Sequence, residues 1–255
     1  MKQSIILWTA AAIITLLAGY AQSIKSPYYP VNGTITTISG YASFSFDKVY
    51  RGKDGYPVWI VSDFKGLKGE LKWRNMNDNG DWQTIEMQPK GEALYAEIPA
   101  HQPLSKVEYR VTLNDKGKTF LVPETEIAQI QFLGHVPSQI MMFYYITLFA
   151  GILLGIRTGF EVFKEKPRIK MYTIFTLISF FAFTLIFSTV KKGCELGAIG
   201  GTKILPISDL FNSGPVLLFV LWIAALILIF NSKKYKIWAA AGALGTILIF
   251  LLGNF

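Results

Sequence analysis

The stretch Ile140–Phe163, IMMFYYITLFAGILLGIRTGFEVF, decides the fold class of this chain. It is apolar over most of its length, and a helix that crosses a lipid bilayer needs about 20 such residues. Four further runs have the same apolar character, namely Ile5–Tyr20, Tyr172–Val190, Val216–Phe230 and Ile237–Leu252. The five runs predict an integral membrane protein with five transmembrane helices.

A single polar block separates the first apolar run from the second. Residues 22–137 carry 13 Lys/Arg and 13 Asp/Glu, so the net charge of +8 belongs to the membrane part, and a nucleic-acid partner is not expected. We predict a transmembrane signal anchor at 1–21, a β domain at 22–137 and a four-helix transmembrane domain at 138–255. The short first run also resembles a cleaved signal peptide, and either interpretation exports the block.

The basic residues predict the orientation of the helices. Lys2, the segment 157–170 and the segment 231–236 together hold nine Lys/Arg, whereas the loop 191–214 holds three. Short basic loops stay in the cytoplasm. We therefore expect a bacterial inner-membrane protein with a cytoplasmic N-terminus and a cytoplasmic loop at 164–171. The β domain, the outer loop 191–214 and the C-terminus are then periplasmic.

The polar block has the pattern of a small β-sandwich. Val107–Leu113 alternates apolar and polar residues, which is typical of a half-buried antiparallel strand, and the turn residues 114–117 follow it. Seven or eight such strands in about 100 residues favour an immunoglobulin or fibronectin type III-like sandwich. Its tryptophans either fill the core, which we favour, or form a surface that stacks on carbohydrate: Trp59, Trp73 and Trp82.

Cysteine and histidine are too sparse for several kinds of site. Cys194 is the single cysteine, so no internal disulfide can form. His101 and His135 are the two histidines, which makes a histidine-based metal or haem site improbable. We expect no metal, no cofactor and no catalytic residues.

Glycine spacing in the second helix indicates a packing seam. Gly151, Gly155 and Gly159 recur every four residues and share one helix face, where small residues let two backbones approach closely. The facing helix is either the Ala/Gly-rich start of the fifth helix, residues 239–245, or a helix of another subunit.

Arg157 and Glu161 lie one turn apart in the same helix and are candidate functional polar residues. If the helix ends near Ile156, both are interfacial, and we favour this interpretation because Ile140–Ile156 already approaches a spanning length. If the helix runs to Phe163, both enter the membrane, where ionisable groups are costly and usually functional.

The predicted outer loop is the second candidate region. It is apolar for an exposed loop and rich in glycine, which favours packing and leaves a binding surface as the alternative. Its candidate surface residues are Glu195, Gly200 and Gly201, and Asp209 is its candidate functional acid. Gly200-Gly201 lacks the Lys-Ser/Thr that completes a phosphate-binding loop.

The order of segments resembles a group of uncharacterised bacterial inner-membrane proteins with an N-terminal signal anchor, a periplasmic β domain and four C-terminal helices. The segments that carry the resemblance are Gly69–Arg74, Ala93–Pro99, Val107–Leu113, Phe132–Pro137, Arg157–Glu161 and Ser208–Asn212. Where that group continues Asp-Leu with Thr-Asp-Asn, this chain has Phe211-Asn212-Ser213, so Asp209, Leu210 and, less directly, Asn212 correspond. The resemblance implies the topology and draws attention to Arg157, Glu161 and Asp209 without implying a reaction.

These observations favour a non-catalytic subunit of a larger envelope complex. Its helices would dock on other membrane proteins, and its β domain would contact a periplasmic protein or glycan. A small transporter or transport accessory protein, with Arg157, Glu161 and Asp209 along a path, is the first alternative. A membrane enzyme is the third hypothesis.

Overall fold

A computed structural model describes residues 2–25, 28–76, 81–124, 126–200 and 206–253. The chain divides into two compact units. The helical unit comprises Met1–Ser26, Val136–Cys194 and Ala198–Phe255, and the β unit comprises Pro27–His135 and Glu195–Gly197.

The helical unit consists of helices that follow the apolar runs. They are α1 (Lys2–Lys25), α2 (Ser138–Phe160, continued by a 3-10 turn Glu161–Phe163), α3 (Ile169–Phe181), a π-helical segment (Ala182–Ser188), α4 (Thr189–Glu195), α5 (Ser213–Asn231) and α6 (Tyr235–Leu252). The segments from α3 to α4 form one span. Within the described residues, five spans are long and apolar enough to cross a membrane, which confirms the five predicted helices.

The predicted loops are shorter in the structure than in the sequence analysis. The outer loop was placed at 191–214, but α4 runs through Glu195 and α5 begins at Ser213. Lys191, the first residue of the predicted loop, lies inside α4, and its side chain is buried, with its ammonium 4.6 Å from the centre of the Tyr144 ring. The loop predicted at 164–171 also ends early, because α3 begins at Ile169.

Buried polar groups of the helical unit form hydrogen bonds with one another, because an apolar environment offers them no water as a partner. The Trp222 indole N–H donates to Thr246 Oγ1 at 2.9 Å, and Thr246 donates to the Gly242 carbonyl at 2.8 Å. Thr184, in the π-helical segment, donates to the Pro215 carbonyl of α5 at 2.9 Å. These bonds fix α5 against α6 and the π-helical segment against α5.

The β unit contains two sheets. One has the order β1 (Val31–Thr36), β2 (Tyr41–Phe46), β4 (Tyr56–Ser62), β8 (Ala93–Ile98) and β7 (Gln88–Lys90). The other has the order β3 (Val49–Tyr50), β11 (Ala128–Phe132), β9 (Lys106–Asp115), β5 (Lys68–Asn75) and β6 (Gln83–Glu86), and β10 (Lys118–Val122) pairs with β9. One cluster of buried side chains draws on both sheets and forms a common core.

The strand predicted at Val107–Leu113 is confirmed as part of β9. Its four apolar residues are fully buried, whereas Arg110 and Thr112 are partly exposed. This alternation places one face of β9 in the core. The strands β1, β3 and β7 were not predicted from the sequence. β3 and β7 have only two and three residues, too few for a pattern, whereas β1 does alternate and was a usable signal.

The predicted turn after β9 is also present, and hydrogen bonds to the Asp115 side chain stabilise it. Lys116 and Gly117 both have positive φ, 51° and 84°, which is typical of a type I′ hairpin turn. The shielded Asp115 carboxylate accepts the Ser39 N–H at 2.6 Å and the Ser39 hydroxyl at 2.8 Å. Burial of the carboxyl opposes ionisation, but the bonds from Ser39 outweigh it and lower the pKa of Asp115.

Candidate functional site

The end of α2 holds a fully buried ion cluster. Arg157 and Glu161 have no exposed side-chain area, and Arg157 Nη2 lies 2.6 Å from Glu161 Oε1. Lys164 Nζ lies 2.8 Å from the same oxygen, and the backbone N–H of Arg168 donates to Glu161 Oε2 at 2.7 Å. Both carboxylate oxygens of Glu161 are therefore engaged within the chain. Arg157, Glu161 and Lys164 are called the Arg157 cluster below.

Two aromatic rings complete the surroundings of Arg157. Its guanidinium carbon lies 4.9 Å from the centre of the Tyr172 ring and 5.4 Å from that of Trp8. The two rings contact each other edge to face at 5.9 Å. Since Trp8 belongs to α1 and Tyr172 to α3, cation–π attraction to Arg157 connects three helices.

The guanidinium of Arg157 is held by charge and by rings more than by aligned hydrogen bonds. Its three nitrogens have no partner with hydrogen-bond geometry among the described residues, although Nη2 is in ionic contact with Glu161. The hydroxyls of the buried Thr158 and Thr176 donate to backbone carbonyls. Thr158 donates to the Leu154 carbonyl at 2.8 Å and Thr176 to the Tyr172 carbonyl at 2.8 Å.

The helix end on which the preferred interpretation rested is wrong, whereas the interfacial position of Arg157 and Glu161 stays a prediction. The helix does not end near Ile156. It continues to Phe160 and then as a 3-10 turn to Phe163. Both charged side chains are buried among helices rather than facing solvent, because each neutralises the other and Trp8 and Tyr172 cover them.

The three seam glycines face helices of the same chain. A Cβ on Gly151 would lie 2.7 Å from the Phe180 ring of α3, and one on Gly155 would lie 3.0 Å from the Trp222 ring of α5. A Cβ on Gly159 would lie 2.5 Å from the Cβ of Ala243 in α6. The Ala/Gly-rich start of α6 therefore packs on Gly159, one of the two arrangements considered for the seam.

Asp209 does not join the Arg157 cluster. It lies exposed on a 3-10 turn, Ile207–Leu210, just before α5, and Ser208 Oγ donates to its carboxylate at 3.2 Å. Arg157 lies in the last turn of α2. Because consecutive spans alternate in direction, the start of α5 and the end of α2 lie at opposite ends of the helical unit.

The outer-loop residues have different environments. Gly200 is exposed and has a φ of +80°, whereas Gly201 lies outside the described residues. Glu195 was predicted on a loop surface, and this is wrong. It ends α4, is buried, and forms an ion pair of 2.9 Å with Arg51 of the β unit, to which Glu195 itself belongs. The opposite charge of Arg51 offsets the cost of burying the Glu195 carboxylate.

The tryptophans divide between the core and the surface. Trp73 is buried in the core, and Trp82 is partly exposed, with the guanidinium groups of Arg74 and Arg110 at 4.9 and 5.4 Å from its ring. Trp59 is 37% exposed on the outer face of β4, where its ring centre lies 4.6 Å from that of Tyr95.

Polar side chains border the exposed Trp59 ring. The Lys90 ammonium lies 5.3 Å from the Trp59 ring and 4.9 Å from the Tyr95 ring. The Tyr95 hydroxyl donates to Glu97 Oε2 at 2.6 Å, and this bond is the main reason that the pKa of Tyr95 is raised. Exposed Val61 continues the patch along β4. Trp59, Val61, Lys90, Tyr95 and Glu97 are called the Trp59 surface below.

Sequence reasoning missed three parts of these sites. The spacing of Arg157, Glu161 and Lys164 at four and three residues was a usable signal for a helical ion cluster. The alternation along β4 could have placed Trp59 outward. No sequence signal indicated that Trp8 contacts Arg157, since that contact depends on how α1 packs.

Comparisons with known proteins give a limited result. No protein family matches the chain, and no curated protein is similar to it. Among solved structures, one described as the Br derivative of BhCBM56 aligns with 13% sequence identity and a TM-score of 0.28. The alignment covers 38% of this chain and 97% of that one.

Proposed function

We propose that the protein is a non-catalytic subunit of the bacterial inner membrane, whose helices anchor it and whose β unit binds a periplasmic partner. The observation that carries the proposal is the Trp59 surface. A large aromatic ring that stays exposed on a sheet face, bordered by Lys90 and Glu97, has the composition of a binding surface. The expected partner is a periplasmic protein, with a glycan as the other class.

The helical unit supports an anchoring role more than a transport role. Glu161, the buried carboxylate of α2, is neutralised by Arg157 and Lys164 and accepts the Arg168 N–H. A carboxylate that carries a proton or an ion must exchange it, and these contacts oppose exchange. The seam glycines are likewise used inside the chain, so docking on other membrane proteins falls to the exposed apolar faces of the helices.

We also propose that the β unit is an immunoglobulin or fibronectin type III-like sandwich. The supporting observation is the strand order. β2, β4, β8 and β7 follow one another in one sheet, and β11, β9, β5 and β6 in the other. This is the order of strands A, B, E, D and G, F, C in immunoglobulin domains, with β6 as an additional strand beside C.

The proposed orientation rests on the basic loops. With the N-terminus in the cytoplasm, the charged ends of α2 and α3 lie on the cytoplasmic side, and the β unit and the C-terminus are periplasmic. The resemblance to the inner-membrane group with the same order of segments supports the same layout.

A transporter or transport accessory protein is the second candidate. The observation in its favour is that Arg157 and Glu161 are ionisable and fully buried among apolar helices, where such groups are usually functional. Asp209 is exposed at the opposite end of the helical unit, so it does not share a site with Arg157 and Glu161. A membrane enzyme remains the third hypothesis.

Crosslinking in native membranes tests the proposed function. A photo-crosslinking amino acid at Val61, on the Trp59 surface, is compared with one at Glu70, which is exposed on the other sheet. We expect a discrete product from Val61 that mass spectrometry identifies and that W59A abolishes, with none from Glu70. A monodisperse monomer without a co-purifying protein or glycan, and without a Val61-specific product, would refute the proposal.

A further inference from the structure

A groove opens in the helical unit where the turn between α5 and α6 lies beside the start of α3. Its volume is about 520 Å³, within the range of small-molecule sites. Arg168, Lys170, Ser232 and Tyr235 contribute its polar lining. Arg168 and Lys170 are exposed, so their charged groups are accessible from outside the protein.

The rim of this groove is strongly cationic. Besides Arg168 and Lys170, the exposed Lys233 and Lys234 lie on the same turn as Ser232, while Glu165 is the exposed acid of the preceding loop. The 18-residue helix α6 begins at the groove with Tyr235, and the N–H groups of a first helical turn add partial positive charge. The rim therefore favours an anion.

The wall below the rim is apolar. Ile229 is buried, whereas Phe230 and Met171 are 43% and 38% exposed at the ends of helices that are apolar enough to span a membrane. The Lys170 ammonium lies 4.9 Å from the Phe230 ring, so the cation and the apolar wall adjoin directly. A free inorganic anion would use the rim and leave the wall uncovered. An amphiphile with an anionic head would use both.

We propose that this groove binds an anionic phospholipid, with its phosphate headgroup at Arg168 and Lys170 and an acyl chain along Phe230 and Met171. Basic residues at the membrane surface attract anionic headgroups, each with a modest free energy that adds across residues. The inference rests on the proposed insertion in a bilayer. It does not depend on what binds the Trp59 surface, so either proposal can fail without the other.

Lipid titration of the purified full-length protein in detergent tests the inference, with native mass spectrometry as the readout. The probes are dioleoyl-phosphatidylglycerol and dioleoyl-phosphatidylcholine, which differ in headgroup charge. We expect tighter binding of phosphatidylglycerol and a roughly 30-fold loss of that affinity in R168Q/K170Q, since two headgroup contacts disappear. The control K2Q/K166Q removes the same charge at two exposed lysines outside both the groove lining and its cationic rim, and should keep the wild-type affinity.

Two further measurements separate the outcomes. Millimolar inorganic phosphate, compared with chloride at the same ionic strength, should not displace phosphatidylglycerol, because it offers nothing to the apolar wall. Equal melting temperatures of the two double variants show that folding is unchanged. Equal binding of the two lipids, equal losses in both double variants, or displacement by inorganic phosphate would each overturn the proposal.

Discussion

Replacing Glu161 by glutamine should destabilise the helical unit markedly. The carboxylate is fully buried and contacts Arg157 at 2.6 Å, Lys164 at 2.8 Å and the Arg168 N–H at 2.7 Å. Glutamine has nearly the same size but no charge. E161Q therefore leaves the Arg157 charge buried without its counter-ion and places an amide donor among donors.

The expected magnitude follows from these contacts. Removing one partner of a buried ion pair costs about 3–5 kcal/mol, which for a chain of this size lowers the melting temperature by roughly 6–20 °C. Lys164 is 18% exposed and can turn toward solvent, so most of the cost comes from Arg157. R157M should cost less, because Glu161 then keeps Lys164 and the Arg168 N–H.

The assay is thermal unfolding of the purified full-length protein in one detergent, followed by tryptophan fluorescence. E165Q is the matched control, because Glu165 lies four residues away and is exposed. The double variant R157M/E161Q should be less destabilised than the sum of its single variants, since the two residues are in direct contact. If E161Q had the same melting temperature as E165Q and the wild type, the Arg157 cluster would not hold the helices together.

Three further predictions concern packing, acid stability and binding. G159A should lower stability by about 1–3 kcal/mol because its Cβ would lie 2.5 Å from that of Ala243. G242A, with its nearest neighbours at 3.5 Å, should melt at or above the wild-type temperature, and thermal unfolding checks both variants. The pKa of Asp115 is lowered in the folded state. The carboxylate therefore contributes to stability above the unfolded pKa of about 3.9, and this contribution is lost as the pH falls through the folded pKa. Between neutral pH and a pH below about 3.9, the free energy of unfolding should accordingly fall less for D115N than for the wild type. Equal falls would refute the role of the carboxylate. W59A should abolish the crosslink from the Trp59 surface while lowering stability by about 1–2 kcal/mol, because the ring contacts Tyr95 and Lys90. A loss above about 3 kcal/mol would instead make Trp59 a core packing residue.

The apolar runs determined the helices, because hydrophobic length is a local property of the chain. Helix ends were harder to predict. Lys191 and Arg157 carry charges that usually mark a membrane boundary, yet both lie inside continuous helices, where an aromatic ring lies against each charge. A charged residue marks the end of a membrane helix only when the protein interior offers it no partner. Whether a partner is present depends on tertiary packing.

The sites show the same division between local and long-range information. The pairing of Arg157 with Glu161 follows from their spacing on one helix, and the inward face of β9 follows from its alternation. The contact of Trp8 with Arg157 and the ion pair of Arg51 with Glu195 join residues far apart in the chain. Such contacts depend on packing, so single-sequence patterns did not reveal them.

Membrane orientation is the claim on which the account depends most, and cysteine labelling tests it directly. In a C194A background, single cysteines replace the exposed residues Thr34, in the β unit, and Lys166, in the basic loop before α3. A membrane-impermeant maleimide should label T34C in intact spheroplasts and K166C only after permeabilisation. Labelling of K166C in intact spheroplasts, with T34C protected until permeabilisation, would contradict the account.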